Sequence, residues 1–599
     1  MANAPITLSK PQGREITGGD LLAQALKVLG VDVAFGVHGG HLDSFLMGCV
    51  HAGIRLVDTR HETCAVQAAE AYGKVNGKVG VSFITANSGF SNGLAGLATA
   101  LADRNPVFVI TSSPPLRDAE TNALQGFHDQ VVVSSPLTKW SHRVTITEEI
   151  PSLVSFGFRT AMGGAPGPVL MDLPIDVLFQ PVQQNRISWG SLGKPFPFRP
   201  GPHQAAITAS CDLIRAAKRP ALITGSGGQS VENTKALSVF VDLTGIPVFH
   251  GIKYGSALPI DHPLQSGVVT ELAKFPYIGK EPPDLIILIG ARPGTLMAAR
   301  SGAILPHKGT KYIQADVDAT EPGRSLSTDL SVVSDSCQYL LALIKALGPN
   351  TTKADKDWIA TATGLKRLPS GYENEPEDSS PQKIHPWHGI KQVFSSLEPG
   401  CILVIDGGEC SSWSAQLQEY AKPSLTLFAI GHLGFLGNGY GYAIGAAVAE
   451  PSKQVVMVQG DGSAGFHFAE LETFSRHNLN ILSVIANNYI WGMSKHGQDL
   501  MWTDKNTARP VTTLNPETKF EVAAQGFGNA GAKVDKYANI ESTVKKLSKE
   551  PMPALLNLII DAQPIHPGTA AMINPTDDPD IIVVPYYDNL PRPMFKDVK

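Results

Sequence analysis

Cysteine is scarce in this sequence, which has six cysteines among 599 residues and no two of them in a CxxC arrangement. A disulfide framework or a zinc site is therefore not expected, and buried thiols in a reducing compartment are the simpler interpretation. No apolar run approaches the roughly 18 residues that a membrane-spanning helix needs, and the N-terminal segment lacks the apolar core of a secretory signal. These absences favour a cytoplasmic protein.

An excess of one charge is also lacking, because 49 Lys and Arg residues stand against 54 Asp and Glu residues, for a net charge of −5. This balance gives no electrostatic basis for binding nucleic acid or an anionic membrane. Glycine and proline are abundant, at 58 and 44 residues, as in soluble α/β enzymes with many loops. The length exceeds what one hydrophobic core supports, and about three domains are expected.

Segments with a strand pattern alternate with amphipathic segments along the chain. GGDLLAQALKVLG predicts a helix, VDVAFGV and KVGVSFITA predict strands, and GFSNGLAGLATALAD predicts a helix that begins at Ser91 or Asn92. The alternation predicts an α/β fold of three domains, each a mostly parallel sheet flanked by helices. The predicted domains cover residues 1–189, 204–345 and 385–565, with a linker at 190–203 and a C-terminal tail at 566–599.

The third domain contains the motif GDGS at 460–463, followed by a helical stretch and an apolar strand that ends in Asn487 and Asn488. In a β-α-β unit the carboxyl ends of the two strands meet at one edge of the sheet, so Asp461 and Asn488 should come together. Their side-chain oxygens, the carbonyl of Ile490 and diphosphate oxygens would complete the octahedral shell of Mg²⁺.

The residues around Asp461 suit a phosphate group. Gly460 and Gly462 let the backbone approach phosphates closely, and Ser463 stands where its N–H and hydroxyl can bind a phosphate at a helix N-terminus. GDGS alone is also an ordinary β-to-α turn, and two asparagines are an ordinary strand end. The two segments together, at this spacing, are the specific signal.

GDG followed by 24 residues and NN resembles the signature of thiamine diphosphate-dependent enzymes. The resemblance implies thiamine diphosphate and Mg²⁺ as cofactors, bound by a pyrimidine-binding first domain and a diphosphate-binding third domain. It also implies a glutamate that contacts the pyrimidine, and the segment RHETCAVQAAEAYG provides Glu62. A proton shared with the pyrimidine helps to remove the thiazolium proton. By itself Glu62 would be interpreted as an acid favoured by a helix N-terminus.

The segment GHLGFLGNGYG at 431–441 resembles the part of these enzymes that wraps the two cofactor rings. The resemblance places Leu436 beneath both rings and assigns hydrogen bonds with the pyrimidine to the backbone of Gly434 and Leu436. The predicted cofactor-binding residues also include Trp491. The alternative is that this segment is a glycine-rich loop that leads into the helix YGYAIGAAVAE and binds no ligand.

Within this family, several phrases of the first domain resemble benzaldehyde lyase, among them FGVHGGHLD and DRNPVFVITSSPPLRDAETNALQGFHDQ. The resemblance implies that His41 and Gln125 line the reaction centre, and His38 lies three residues before His41. A histidine with a pKa of about 6.5 can accept and return the proton of a substrate hydroxyl. The amide of Gln125 can hydrogen-bond that histidine, a water or the substrate carbonyl. Helix capping by the histidines and a surface position for Gln125 are the alternatives, and for His38 the choice stays open.

These features predict a lyase or carboligase that uses thiamine diphosphate and Mg²⁺ to cleave or form 2-hydroxy ketones from aldehydes or 2-keto acids. Gly40, Ser411 and Leu436 replace an alanine, an aromatic residue and a methionine of benzaldehyde lyase, which leaves the choice of aldehyde open. The resemblance further implies a homodimer or homotetramer, with each site formed between the first domain of one chain and the third domain of another.

Other functions remain to be compared. One is acetolactate synthase, whose middle domain carries FAD; here GSGGQS at 225–230 is one glycine short of GxGxxG and predicts a degenerate nucleotide-binding loop. Another is a 2-keto acid decarboxylase. A nicotinamide-dependent oxidoreductase and a non-catalytic scaffold belong to different classes, and both leave GDGS, the two asparagines and Glu62 unexplained.

Overall fold

The computed structural model describes residues 14–591, apart from 119–120, 188, 194–198, 253–254, 256–257, 300, 381–382, 503, 505 and 588. Residues 1–13, the centre of the predicted linker and the last part of the predicted tail lie outside the described residues. Three six-stranded parallel sheets, each accompanied by helices, confirm the predicted α/β fold class. None of the helices in the described residues is long and apolar enough to cross a membrane.

The N-terminal domain has a parallel sheet in the order β2-β1-β3-β4-β6-β5. Its strands are β1 (Val33–Gly36), β2 (Arg55–Asp58), β3 (Gly80–Ile84), β4 (Val107–Ser113), β5 (Trp140–Arg143) and β6 (Val169–Pro174). Its helices are α1 (Gly18–Val28), α2 (Asp43–Ala52), α3 (Glu62–Asn76), α4 (Ser88–Asp103), α5 (Gln130–Ser134), α6 (Ile150–Met162) and α7 (Ile175–Phe179). The central strands β3 and β4 are buried along their whole length, as expected for a sheet covered on both faces.

The middle domain has a parallel sheet in the order β12-β11-β10-β7-β8-β9. This domain contains β7 (Pro220–Thr224), β8 (Val248–His250), β9 (Gln265–Val268), β10 (Leu285–Ile289), β11 (Lys311–Asp316), β12 (Leu330–Val333), α8 (Gln204–Ala216), α9 (Val231–Thr244) and α10 (Ser336–Leu347). Its strand order is that of dinucleotide-binding sheets. The polar stretch that follows forms one helix, α11 (Lys356–Gly364).

The C-terminal domain repeats the strand order of the N-terminal domain, as β16-β15-β17-β18-β20-β19. Its strands are β13 (Asp378–Ser380), β14 (Lys383–Ile384), β15 (Ile402–Ile405), β16 (Leu425–Phe428), β17 (Val455–Gly460), β18 (Ile481–Asn487), β19 (Ala530–Val534), β20 (Ala554–Ile559), β21 (Ile581–Ile582) and β22 (Leu590–Pro591). Its helices are α12 (Pro386–Ser395), α13 (Gly408–Leu417), α14 (Gly439–Ala449), α15 (Asp461–Ala464), α16 (Glu470–Arg476), α17 (Gly492–Met501), α18 (Phe520–Gly526), α19 (Ile540–Leu547) and α20 (Pro567–Ile573).

One predicted boundary is wrong, because α4 begins at Ser88 and not at Ser91 or Asn92. Asn87 has a positive φ of 52° with ψ −76°, an uncommon backbone for a residue other than glycine. The chain therefore turns directly after β3, and the N–H of Ser91 already donates to the carbonyl of Asn87 at 2.7 Å within the first helical turn.

The N-terminal and C-terminal domains are joined mainly by α3 and α14, which pack closely because α14 carries small residues at the crossing. A Cβ on Gly441 would lie 2.6 Å from the Cβ of Gln67, and one on Gly445 would lie 2.2 Å from the carbonyl oxygen of Ala68. The side chain of Gln67 donates to Asn438, at the start of α14. This contact holds α3, which begins at Glu62, against the start of α14, which follows the segment 431–437.

Candidate active site

The carboxyl ends of neighbouring strands in the C-terminal sheet bring the predicted metal residues together. β17 lies beside β18, with Gly460 in register with Ala486. Asp461 and Asn488 follow these strands, and the carboxylate of Asp461 accepts the N–H of Tyr489 at 2.6 Å. The strand order reverses between β15 and β17, which is where open α/β sheets bind ligands.

Asp461 is a buried carboxylate whose charge needs a partner. Its side chain accepts N–H groups from Gly462 at 3.0 Å and from Tyr489, yet burial raises its pKa to about 7. The interactions that favour its charged form come from backbone N–H groups. Asn488 Oδ1 accepts the N–H of Ile490 at a long 3.3 Å and can still bind a cation.

The side-chain oxygens of Asp461 and Asn488 are hard ligands of the kind that Mg²⁺ prefers. The described residues contain no group of three or more His, Cys, Asp or Glu side chains placed to hold a metal ion. A cation bound by Asp461 and Asn488 therefore needs further oxygen ligands, and carbonyl and phosphate oxygens suit the octahedral preference of Mg²⁺.

The loop after β17 is closely packed against two other segments. A Cβ on Gly462 would lie 2.7 Å from two ring carbons of Trp491, so this position has room only for glycine. Ser463 is almost fully buried, and its hydroxyl accepts the N–H of Gly437 at 3.0 Å and hydrogen-bonds Asp406. The hydroxyl predicted to bind phosphate therefore also has protein partners, and the binding of a phosphate by Ser463 stays a prediction.

The segment 431–437 is held at both ends. The N–H of His432 donates to Asp103 at 2.9 Å, and Gly437 is tied to Ser463. Gly434 has φ 68°, a left-handed backbone that favours glycine. Leu436 is half-buried, so part of its side chain stays accessible to a ligand.

Glu62 begins α3 and is buried, with 8% of its surface exposed. Its carboxylate accepts the side-chain N–H of Asn92 at 3.0 Å. A Cβ on Gly89 would lie 3.0 Å from Glu62 Oε1. The carboxylate is therefore held against the first turns of α4.

His41 and His38 follow β1 but occupy different environments. His41 Nδ1 is buried and has no hydrogen-bond partner among the described residues, and burial lowers its pKa. His38 has a side chain that is 68% exposed, with Nε2 2.9 Å from a carboxylate oxygen of Asp43. Of these two histidines, only His41 has a buried nitrogen without a partner among the described residues.

Gln125 has a left-handed backbone, with φ 60°. Its carbonyl accepts the side-chain N–H of Asn87 at 2.9 Å, and its amide lies 3.4 Å from Ser88 Oγ. Asn87 also has a positive φ, so two non-glycine residues with an uncommon backbone are hydrogen-bonded to each other at the end of β3. Strain of this kind is frequent at functional sites.

Sequence reasoning missed three polar residues that build this region. Asn92 was interpreted only as a helix cap, although it holds Glu62. Asp406 is fully buried and accepts the N–H groups of Gly407 and Gly439. Glu470 accepts the N–H groups of residues 60 and 61. Asp406 follows an apolar strand just as Asp461 does, and that parallel was the available signal.

Glu62 and Asp461 have separate hydrogen-bond partners within one chain, although other residues of the two domains hydrogen-bond each other. The hydrogen bonds of Glu62 and Asp461 given above lie within their own domains. A site shared between two chains therefore stays a prediction, together with the oligomeric state.

Comparison with known proteins identifies all three domains. Residues 16–133 match the N-terminal TPP binding domain of thiamine pyrophosphate enzymes, residues 207–343 match the central domain, and residues 406–558 match the C-terminal TPP binding domain. The match supports thiamine diphosphate as the cofactor. It favours a thiamine diphosphate enzyme over a nicotinamide-dependent oxidoreductase or a non-catalytic scaffold.

Similar proteins extend over nearly the whole chain. An acetolactate synthase large subunit of Lactococcus lactis is 30% identical over 566 residues, covering 93% of this chain and 94% of the relative. An acetolactate synthase large subunit of Mycobacterium tuberculosis is 29% identical, covering 92% and 96%. A 2-hydroxyacyl-CoA lyase 2 of Caenorhabditis elegans is 27% identical, covering 93% and 91%. The chain therefore belongs to the thiamine pyrophosphate enzyme family, as a member similar to acetolactate synthases.

Proposed function

We propose that the protein uses thiamine diphosphate and Mg²⁺ to cleave or form 2-hydroxy ketones, as a lyase or carboligase. The observation that carries this proposal is His41, whose buried Nδ1 has no partner among the described residues. Because burial lowers its pKa, the imidazole is neutral near pH 7 and can accept a proton. Cleavage of a 2-hydroxy ketone requires such an acceptor for the substrate hydroxyl.

The residues that would hold the cofactor lie on the C-terminal domain. Asp461, Asn488 and the carbonyl of Ile490 would hold Mg²⁺, and Leu436 and Gly434 would hold the rings. The diphosphate would lie against the backbone of Gly460 and Gly462 and against the ring of Trp491. When bound, thiamine diphosphate supplies a carbon nucleophile that accepts the acyl part of the substrate.

The proton steps belong to the N-terminal domain. Glu62 would hold a proton at the pyrimidine nitrogen, and Asn92 keeps its carboxylate in place. His41 would take the proton of the substrate hydroxyl as the carbon–carbon bond breaks and return it in the ligation direction. Gln125 would orient the substrate carbonyl or a water beside His41.

Acetolactate synthase is the second candidate, because relatives with that name align over more than nine-tenths of the chain. In this reaction a 2-keto acid loses CO₂ and its acyl unit joins a second 2-keto acid. The 2-hydroxyacyl-CoA lyase among the relatives shows that carbon–carbon cleavage also occurs in proteins of similar sequence.

A product screen distinguishes these candidates. The purified protein with thiamine diphosphate and Mg²⁺ is offered an acyloin alone, pyruvate alone, and benzaldehyde or aliphatic aldehydes in pairs, and the products are identified by mass. A lyase or carboligase cleaves the acyloin or joins the aldehydes without releasing CO₂. Conversion of pyruvate alone to acetolactate and CO₂, with no reaction of acyloins or aldehydes, would establish the second candidate and overturn the first.

The role of His41 is tested separately. His41→Ala should lower the rate of acyloin cleavage by about 10² or more, the scale of lost acid–base assistance, and leave the Kd of thiamine diphosphate nearly unchanged. His51→Ala, at an exposed position of α2, is the matched control. A parallel loss of cofactor affinity in His41→Ala would contradict a role at the substrate.

A further inference from the structure

A second buried carboxylate lies at the edge of the C-terminal sheet. Glu409, in the first turn of α13, is 6% exposed. Its Oε1 accepts the backbone N–H of His566 at 3.0 Å and the hydroxyl of Thr569 at 2.8 Å. Its Oε2 lies 2.6 Å from Nδ1 of His496. The carboxylate therefore joins α13 to α17 and to α20, which lies within the predicted C-terminal tail.

His496 is 2% exposed, and both of its ring nitrogens face acceptors. Nδ1 faces the Glu409 carboxylate, and Nε2 lies 2.9 Å from the carbonyl oxygen of Ala562. A neutral imidazole can donate from only one nitrogen. With Glu409 ionised, two acceptors require a proton on each nitrogen, which makes His496 a cation.

The electrostatic surroundings agree with this assignment. Burial opposes the charge, but hydrogen bonding and the charge of Glu409 outweigh it and raise the pKa of His496. The nearby His566 differs, because its Nδ1 accepts the N–H of Gly568 at 2.9 Å and burial lowers its pKa to about 4. The positive charge beside Glu409 thus belongs to His496.

Glu409 lies against the segment that would hold the metal and the diphosphate. A Cβ on Gly492 would lie 3.2 Å from Glu409 Oε2 and 3.5 Å from Asn488 Nδ2. Trp491, the preceding residue, covers Gly462. An uncompensated carboxylate at this place would repel a bound diphosphate, because charges in a partly buried site interact strongly.

We propose that His496 is a positioning residue whose positive charge neutralises Glu409, so that a diphosphate can bind beside this carboxylate. The pair also fixes α17, which directly follows the metal segment, to α13 and to the C-terminal residues. The inference rests on the proposed location of the diphosphate between Asp461 and Asn488.

The test is a double-mutant cycle on cofactor affinity. The Kd values of thiamine diphosphate with Mg²⁺, and of thiamine without phosphates, are measured by calorimetry for the wild type, Glu409→Gln, His496→Gln and the double variant. His496→Gln leaves one uncompensated negative charge and should weaken thiamine diphosphate binding by about tenfold or more. Glu409→Gln and the double variant carry no net charge at the pair, and both should stay within about threefold of the wild type.

Recovery in the double variant is the decisive result, because a purely structural role predicts that the second substitution adds to the damage. Equal affinity in His496→Gln and the wild type, or no recovery in the double variant, would overturn the inference. The affinity for thiamine should change little in every variant, since it lacks the diphosphate. Failure of the wild type itself to bind thiamine diphosphate would instead overturn the proposed function.

A measurement on the intact protein covers the case in which His496→Gln does not fold. Spectra of ¹⁵N-histidine in the wild type are recorded at about pH 8, which is well above the usual pKa of histidine. They should contain one histidine with both nitrogens protonated, and this signal should be lost in Glu409→Gln. A wild-type spectrum with only neutral histidines at that pH would overturn the charge assignment.

Discussion

Glu70→Gln is expected to stabilise the protein in alkali and to have little effect in acid. Glu70 is fully buried between α3 and α14, where it accepts hydrogen bonds from Asn105 at 2.6 Å and Tyr442 at 2.8 Å. Burial and the charge of Asp103 raise its pKa from 4.5 to about 7. Because folding raises this pKa, the stabilising contribution is fully present below about pH 4.5 and is lost as the pH rises through 7.

The magnitude follows from the difference between the two pKa values. At about 1.4 kcal/mol for each pH unit, the ionised carboxylate costs the folded protein up to about 3 kcal/mol above pH 7. Gln cannot ionise. Its Oε1 can keep both hydrogen bonds, and its Nε2 can donate to Thr99 Oγ1, which lies 3.4 Å from the present Oε2. The free energy of unfolding should therefore rise by up to about 3 kcal/mol at pH 8 and by less than about 1 kcal/mol near pH 5.

Thermal unfolding of the protein without cofactor, at pH 5 and pH 8, tests this expectation. The variant should have a Tm about 2 °C above that of the wild type at pH 8, and a much smaller difference at pH 5. Glu149→Gln, at an exposed position, is the control for the loss of one charge. A change of equal size at both pH values, or a lower Tm at pH 8, would refute the reasoning.

Three substitutions test the cofactor site. Glu62→Gln should lower turnover by about 10² or more without a matching rise in the Kd of thiamine diphosphate; wild-type turnover would contradict its role. Asp461→Asn should weaken Mg²⁺-dependent binding of thiamine diphosphate by about tenfold or more, because a charged oxygen ligand is lost, and calorimetry at several Mg²⁺ concentrations measures this. Gly462→Ala forces a methyl group against the ring of Trp491 and should weaken binding by about 1–3 kcal/mol. Gly465→Ala, with its nearest neighbour 3.6 Å away, should bind normally, and equal losses in both variants would exclude the contact as the cause.

Much of the fold was readable from local patterns. The buried apolar strands and the amphipathic helices predicted three parallel sheets, because hydrophobic periodicity reports which side of an element is covered. The spacing of Asp461 and Asn488 was informative for the same reason, since adjacent parallel strands bring their carboxyl ends together. The start of α4 was predicted wrongly because the positive φ of Asn87, which turns the chain directly after β3, cannot be read from the residue type.

Polar contacts between distant segments were not readable. Asn92 and Glu62 are 30 residues apart, and Glu409 and His496 are 87 apart. A sequence names the residue types but not which donor meets which acceptor, because that depends on the crossing of helices and the path of loops. The partners of the Ser463 hydroxyl, Asp406 and Gly437, were not predicted for the same reason.

The sequence by itself determined the fold class, because this depends on hydrophobic periodicity. Its resemblance to thiamine diphosphate-dependent enzymes gave the cofactor family, and it predicted GDGS and Glu62 as parts of the site. The tertiary structure decided what those residues experience. It left His41 Nδ1 buried without a partner among the described residues, turned His38 toward Asp43, and placed His496 between a carboxylate and a carbonyl. Burial and hydrogen-bond partners set the protonation of each group, and both arise only when segments far apart in the chain pack together.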